Sequence, residues 1–233
     1  SEESVEENTT KFAKELDENV PKLHQKVEEI RQELMNPMIE SADAEPDEVL
    51  PFLENCETAL HDQVDLSERY TRYQEILKVP VATYDELDEV KRDMNLKKKL
   101  WAALGSWTKV TDDWQNTAFA LIKSDEIEKK ISEYWRTVVQ AERGLPGNMV
   151  VPKLKAMVVE FKSTMPVVID LRCKALKDRH WGAIHEAVGF EIHGIAGITL
   201  GELLETRAMD SAEKVNTIAM EAVQEGVLEE MLQ

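Results

Sequence analysis

The sequence has 233 residues, 42% of them apolar and 32% charged, with 9 glycines and 8 prolines. That is long enough to bury a core and too poor in loop formers for a loop-rich fold. The net charge of −18 repels phosphate backbones and anionic lipid, so nucleic acid and membrane are excluded as expected partners.

The acids are concentrated at the ends. Residues 1–50 carry 15 acids and 5 bases, residues 201–233 carry 8 and 2, and the middle is close to balance. Residues 2–35 read as a helix. Leu16, Val20, Leu23, Val27, Ile30 and Leu34 recur at steps of 4, 3, 4, 3 and 4, a heptad-like seam between Glu and Lys flanks. This seam either packs inside a bundle or pairs with a helix of another subunit. Pro21 interrupts it and predicts a break with a restart near Asn19–Pro21, or else a kink. Asn36–Pro37 ends the element, and a polar connector runs to residue 47. A second helix is predicted from Asp47 to Leu77, with Pro51 in its first turn and Lys78–Val79–Pro80 closing it. Thr83 and Glu86 have the spacing of a capping box, in which hydroxyl and carboxylate each accept an orphan backbone N–H. The helix they start carries Leu87, Val90, Met94, Trp101 and Leu104 on one stripe. It can run on through Trp107 and Trp114 to Ile122, with a weak point at Gly105. Ser124 caps a helix from Asp125 to Arg143, stopped by Gly144, Pro146 and Gly147.

Residues 148–163 predict a shorter helix. Pro166 biases Met165 away from the α region, and Val167–Val168–Ile169 fit either a short strand or a buried helical turn. Helix resumes from Leu176 to Val188. Gly189, Gly194 and Gly197 make residues 189–199 a loop or a small hairpin. Asp210 and Glu213 predict a capping box for a last helix, Ser211 to Leu232. The expected fold is all-α: an elongated multi-helix bundle of long helices, with one irregular patch around 165–200.

The signatures of catalysis are missing. There is no G-x-x-x-x-G-K-[ST] phosphate loop, no G-x-G-x-x-G and no G-x-S-x-G elbow. His180 and His185 are five apart, off a common helix face. With His193 and Glu186 nearby they read as structural histidines rather than a metal site. Cys173 lies between Arg172 and Lys174, which favours a thiolate, but no positioned base accompanies it. A small enzyme built on His180, His185 and Cys173 is thus a poor reading. Cys56 and Cys173 are too few for a disulfide scaffold and read as reduced cytosolic thiols. Lys91, Arg92, Lys97, Lys98 and Lys99 form a basic run, read as a solvated helix face or else a docking patch for an acidic surface. Trp101, Trp107, Trp114, Trp135 and Trp181 read as buried anchors. No apolar run approaches the ~20 residues that span a bilayer. The chain opens on Ser with no signal peptide, and is expected to be a piece of a longer protein whose other parts hold the activity. No catalytic, cofactor-binding or metal-ligating residue is expected.

One stretch resembles a known family. Val158–Val159–Glu160–Phe161–Lys162, Met165–Pro166, Ile169–Asp170–Leu171–Arg172 and Ala175–Leu176–Lys177–Asp178–Arg179–His180–Trp181 look like the linker signature of dynein heavy chains. Ile198–Thr199–Leu200–Gly201–Glu202–Leu203–Leu204 resembles the next segment of that signature. Leu100–Trp101 and Trp107 are similar to earlier positions of it. The resemblance covers residues 84–232 and is more axonemal than cytoplasmic, from the Trp-rich middle and the Gly-rich 189–199.

The resemblance implies a mechanical element of an ATP-driven microtubule motor. In that family a helical linker crosses a ring of AAA+ modules, joins it to the cargo-binding tail, and bends and straightens as the first ATP site turns over. Implied partners are the AAA+ ring and tail of the same heavy chain, and other heavy, intermediate or light chains. The implied location is cytoplasmic and cytoskeletal, in the axoneme of a cilium or flagellum. Residues 1–80 would then be tail-side neck helices and residues 81–233 the N-terminal part of the linker bundle. An unrelated spectrin-like helical scaffold or adaptor is the alternative.

Physics alone gives the motif a role. Pro166 should stop one helix, and Asp170 should accept backbone N–H groups at the next turn. Arg172 belongs to the same turn. Arg179, His180 and Trp181 leave one helical turn, with Trp181 as apolar anchor and Arg179 free to clamp a carbonyl or carboxylate. Such a corner would fix the angle between rigid helices, as a lever needs.

Overall fold

The computed structural model describes residues 1–189 and 197–233, and all of its regular elements there are helical. Two compact units form: residues 1–105 with 137–153, and residues 106–136 with 154–233. The expected boundary at residue 80 falls inside the first unit, because packing rather than helix order decides where contacts cluster.

The first unit holds α1 (Glu2–Glu33), α2 (Pro46–Ile76), the first part of α3 (Asp85–Gln115), the end of α4 (Ser124–Gly144) and the start of α5 (Val150–Lys162). Helix α1 runs through Pro21 without a break, correcting the expected restart. Leu16 and Leu23 on either side of that proline are both 3% exposed, so packing holds the two halves in line despite the missing N–H. Of the seam, Leu16, Leu23, Val27, Ile30 and Leu34 are buried and Val20 is half-buried. Helix α1 packs against α2, so the unit itself covers this stripe. Lys78, at φ +57°, turns the chain after α2.

Helix α3 starts at Asp85, too late for a Thr83 cap, and the Glu86 carboxylate instead meets Arg31 at 2.8 Å. The basic run is only partly solvated. Lys97 is 7% exposed and donates to the Leu34 carbonyl at the end of α1 (2.9 Å) and to Asp93 (2.7 Å). Lys98 meets Glu57 at 2.8 Å. Four residues beyond Lys97, Trp101 is fully buried and its indole N–H donates to the Ile39 carbonyl at 2.9 Å. Gly105 is no weak point, and α3 continues through it. A Cβ there would lie 3.1 Å from the Pro46 Cβ, so the missing side chain lets α2 begin against α3. Cys56 is 1% exposed. Burial first, and the Glu33 carboxylate second, push its thiol up to about 11.

The second unit holds the rest of α3, α4 and α5, then α6 (Met165–Leu171), α7 (Asp178–Val188), α8 (Leu200–Leu204) and α9 (Ala212–Met231). Its core is partly aromatic. The Trp107 ring lies 4.9 Å from Tyr134, 5.9 Å from Phe161 and 6.2 Å from Trp114, all edge-on. Of the five tryptophans Trp101 and Trp107 are buried, and Trp114, Trp135 and Trp181 are half-buried, so the expected anchors differ in depth.

Pro166 opens α6 rather than merely stopping α5, since a first helical turn has no use for the N–H that proline lacks. Residues 167–169 are therefore helical, and the strand reading is set aside. Gly189 ends α7 in the left-handed region at φ +83°. The expected loop or hairpin at 189–199 falls mostly on residues 190–196, outside the described residues. At its far end Thr199 forms an isolated antiparallel bridge with Ala118. The expected Asp210–Glu213 capping box is absent because Asp210 lies in a 3₁₀ turn, Arg207–Ser211, that precedes α9. A capping box the sequence reading missed starts α8: Thr199 accepts from the Glu202 N–H at 3.1 Å, and the Glu202 carboxylate accepts from the Thr199 N–H at 3.3 Å.

Candidate functional site, a charged corner on helix α9

Three of the motif residues singled out from sequence, Asp170, Arg179 and His180, converge on α9, inside the second unit. Helix α7 begins after Lys177, whose backbone is extended (φ −105°, ψ 173°). The Lys177 N–H donates to Nδ1 of His180 at 2.9 Å. That fixes the tautomer: Nδ1 is the acceptor, leaving Nε2–H to donate to the Glu225 carboxylate at 2.9 Å. His180 is 6% exposed and heads a buried stripe with Ile184 and Val188 at steps of four.

Trp181, one position on, is turned about 100° away around the helix and is half-exposed. Trp181, expected as the anchor, is thus less deeply buried than His180 beside it. The imidazole faces inward, because its two hydrogen bonds satisfy both ring nitrogens there.

Arg179 leaves the same turn and grips α9. Its Nη2 lies 2.6 Å from Glu225 and 3.4 Å from Glu229, and its Nε donates to Glu225 at 3.2 Å. Lys177 pairs with Glu229 as well. Glu225 and Glu229 are four apart on one face of α9, so three basic side chains from a single turn meet two carboxylates from another. Arg179, expected to reach a carbonyl or a carboxylate, meets carboxylates here; Lys177, Glu225 and Glu229 were missed. The only signal for the glutamates was their spacing of four.

Asp170, near the end of α6, accepts from the Asn216 side-chain amide at 3.0 Å. It was expected to accept backbone N–H groups; a side chain of α9 takes that place. Arg172 caps α6, with its guanidinium 6.0 Å from the centre of the Phe119 ring. Asp170, Arg179 and His180 therefore all reach α9, whereas Pro166 and Arg172 shape α6.

Hydrogen bonds from Arg179 and then His180 hold the Glu225 carboxyl below its ordinary value of 4.5, and those from Lys177 and then Arg179 do the same for Glu229. A depressed carboxylate contributes stability above its unfolded value and loses it as pH falls through the folded one. Docking of α9 should therefore hold at neutral pH and weaken on acidification below about 4.5. Protection factors along α9, each referred to the unfolded chain's exchange at the same pH and followed from pH 6 to pH 3 (~3 units), check this; protection that stays constant would show that the corner does not hold the helix.

The corner's charges are mutually neutralised, and nothing in it offers a nucleophile with a base. Among the described residues no group of three or more His, Cys, Asp or Glu is placed to hold a metal ion, and His193 lies outside them. Among the same residues no helix is long and apolar enough to cross a membrane.

The family profile described as Dynein heavy chain, N-terminal region 2, matches residues 87–233, well over half of the sequence and all of the corner. The chain belongs to the dynein heavy chain family. An unrelated spectrin-like scaffold is thereby set aside. Similar relatives are axonemal. Human dynein axonemal heavy chain 6 is 31% identical over 228 residues, which is 97% of this chain and 6% of that protein. Human dynein axonemal heavy chain 1 is 24% identical over 177 residues, 74% of this chain and 4% of that one. The Chlamydomonas reinhardtii dynein-1-beta heavy chain of the flagellar inner arm I1 complex is 25% identical over 191 residues, 81% and 4% respectively. This dynein chain thus spans a small fraction of the length of the curated relatives it matches.

Proposed function

We propose that this dynein chain is part of the mechanical linker of its motor, coupling ATP-driven changes in the AAA+ ring to the tail. The observation that carries this reading is the corner. Asp170, Lys177, Arg179 and His180, from two consecutive helices, fasten to Asn216, Glu225 and Glu229 of a third. A joint made this way resists change in interhelical angle, and force passes along helices only through joints that resist bending. In this reading the nucleotide chemistry belongs to other parts of the heavy chain. Residues 81–233 form the N-terminal part of the linker and residues 1–80 the helices on its tail side. The seam of α1 then serves the neck's own packing. Partners are the ring and tail of the same chain, with other heavy, intermediate or light chains at the tail, in the axoneme of a cilium or flagellum.

The test uses a whole heavy chain carrying this region. Arg179→Ala with His180→Ala should slow microtubule gliding severalfold while ATP turnover by the ring continues, the sign of uncoupling. Unchanged gliding would remove the corner from force transmission. Loss of turnover in parallel would place its role in the ring instead.

A further inference from the structure

The two halves of α9 are held by different forces. Up to Ala222 the helix buries Val215, Ala219 and Ala222, packed with α6 and α7. Beyond Ala222 none of its residues is buried: Val223, Val227, Leu228 and Met231 are 49%, 51%, 60% and 77% exposed. What ties this second half down is polar: Glu225 and Glu229 pair with Lys177 and Arg179, and Glu225 also accepts from Nε2–H of the neutral His180. Between the two glutamates stands Gly226, the weakest helix former after proline, where an added Cβ would meet nothing within 4 Å.

We propose that residues 223–231 form an ionic latch, a half-helix that undocks from the start of α7 as one piece while residues 212–222 stay packed. The energetics favour such local opening. The second half contributes no fully buried apolar side chain of its own, so the hydrophobic term that pins the first half opposes its departure far less. What opposes it is the exposed ion pairs of Lys177 and Arg179, each weak and each screened by salt, together with the hydrogen bond from the buried His180 to Glu225, which water must replace. His180 keeps its place in the α7 stripe whether the latch is shut or open, because its Nδ1 is bonded to its own helix. The hinge falls between Ala222, the last buried residue, and Gly226. The latch belongs to the chain's own packing and stands without the linker reading; when it is open, α9 stays joined to its neighbours by its packed first half and by the Asn216–Asp170 hydrogen bond.

Hydrogen exchange of the chain, resolved along α9 in low salt and in molar salt, tests it, with Arg179→Gln as the second arm. In molar salt the amides of residues 223–231 should exchange roughly five- to tenfold faster, with residues 212–222 unchanged. R179Q should show the same acceleration in low salt and lose most of the further response to salt. Equal rates for residues 223–231 in all conditions would overturn the latch. Acceleration of residues 212–222 in step with 223–231 would overturn it too, since α9 would then open as a whole.

Discussion

Trp101→Ala is expected to cost about 3–5 kcal/mol, at the upper end of that range. The indole is fully buried in the first unit, and its N–H donates to the Ile39 carbonyl at 2.9 Å. Truncation removes the largest fully buried side chain among the described residues. It also strands a buried carbonyl in the 3₁₀ turn Pro37–Glu40, adding roughly 1–3 kcal/mol if no water reaches it. Thermal unfolding followed by circular dichroism should show a midpoint lower by about 2–4 °C per kcal/mol. Trp101→Phe should fall between, keeping most of the volume and losing the donor. Trp181→Ala should move the midpoint far less, because that ring is half-exposed. If the two alanine variants shift it equally, burial is not what separates these tryptophans.

Trp107→Ala should be the second large effect, about 3–5 kcal/mol for the lost ring, this time in the second unit. Trp107 is 3% exposed and edge-on to Tyr134, Phe161 and Trp114. Each such pair adds about 0.5–1.5 kcal/mol beyond burial, so the variant loses three at once. Tyr134 is in turn held to Ser106 by a 2.7 Å hydroxyl–hydroxyl bond, which should not hold its ring in place once Trp107 is gone. Exchange protection should fall in α5 and the second part of α3 while the amides of α1 and α2 keep theirs. Loss of protection in α1 and α2 to the same degree would show one cooperative core instead of two.

Helix identity was legible wherever a long apolar period ran uninterrupted. The ends of α2, α4 and α7 lie within a residue or two of their punctuation by Lys78, Gly144 and Gly189. Local rules failed where a tertiary contact outbid them. Pro21 was expected to break α1, but packing of Leu16 and Leu23 outweighs one missing N–H. Glu86 was expected to close a cap, and Arg31 of another helix takes its carboxylate. Asp210 was expected to cap α9, but a preceding 3₁₀ turn displaces it.

In the corner, the sequence ranked Trp181 above His180, and the structure buries His180 more deeply. Ring size favoured Trp181, whereas the spacing of Ile184 and Val188 is met equally by His180 at steps of four and by Trp181 at steps of three and four. Only the hydrogen bonds to Lys177 and Glu225 decide between them, and Glu225 is 45 residues away. No local pattern could name that partner. The family match, which rests on residues 87–233, marks the segment without saying what its side chains touch.

The two cysteines differ in a way that matters to anyone who wants to watch this chain move. Cys56, pushed up to about 11 and 1% exposed, is closed to alkylating reagents by both chemistry and access. Cys173 is half-exposed in a groove of about 580 Å³ beside Ile169, Met220 and Val223, against the flank of α9. A maleimide dye added at neutral pH should therefore attach at one position only, on the native sequence. That position lies next to the bare ridge of α9, so the dye's anisotropy becomes a reporter of whatever comes to rest there.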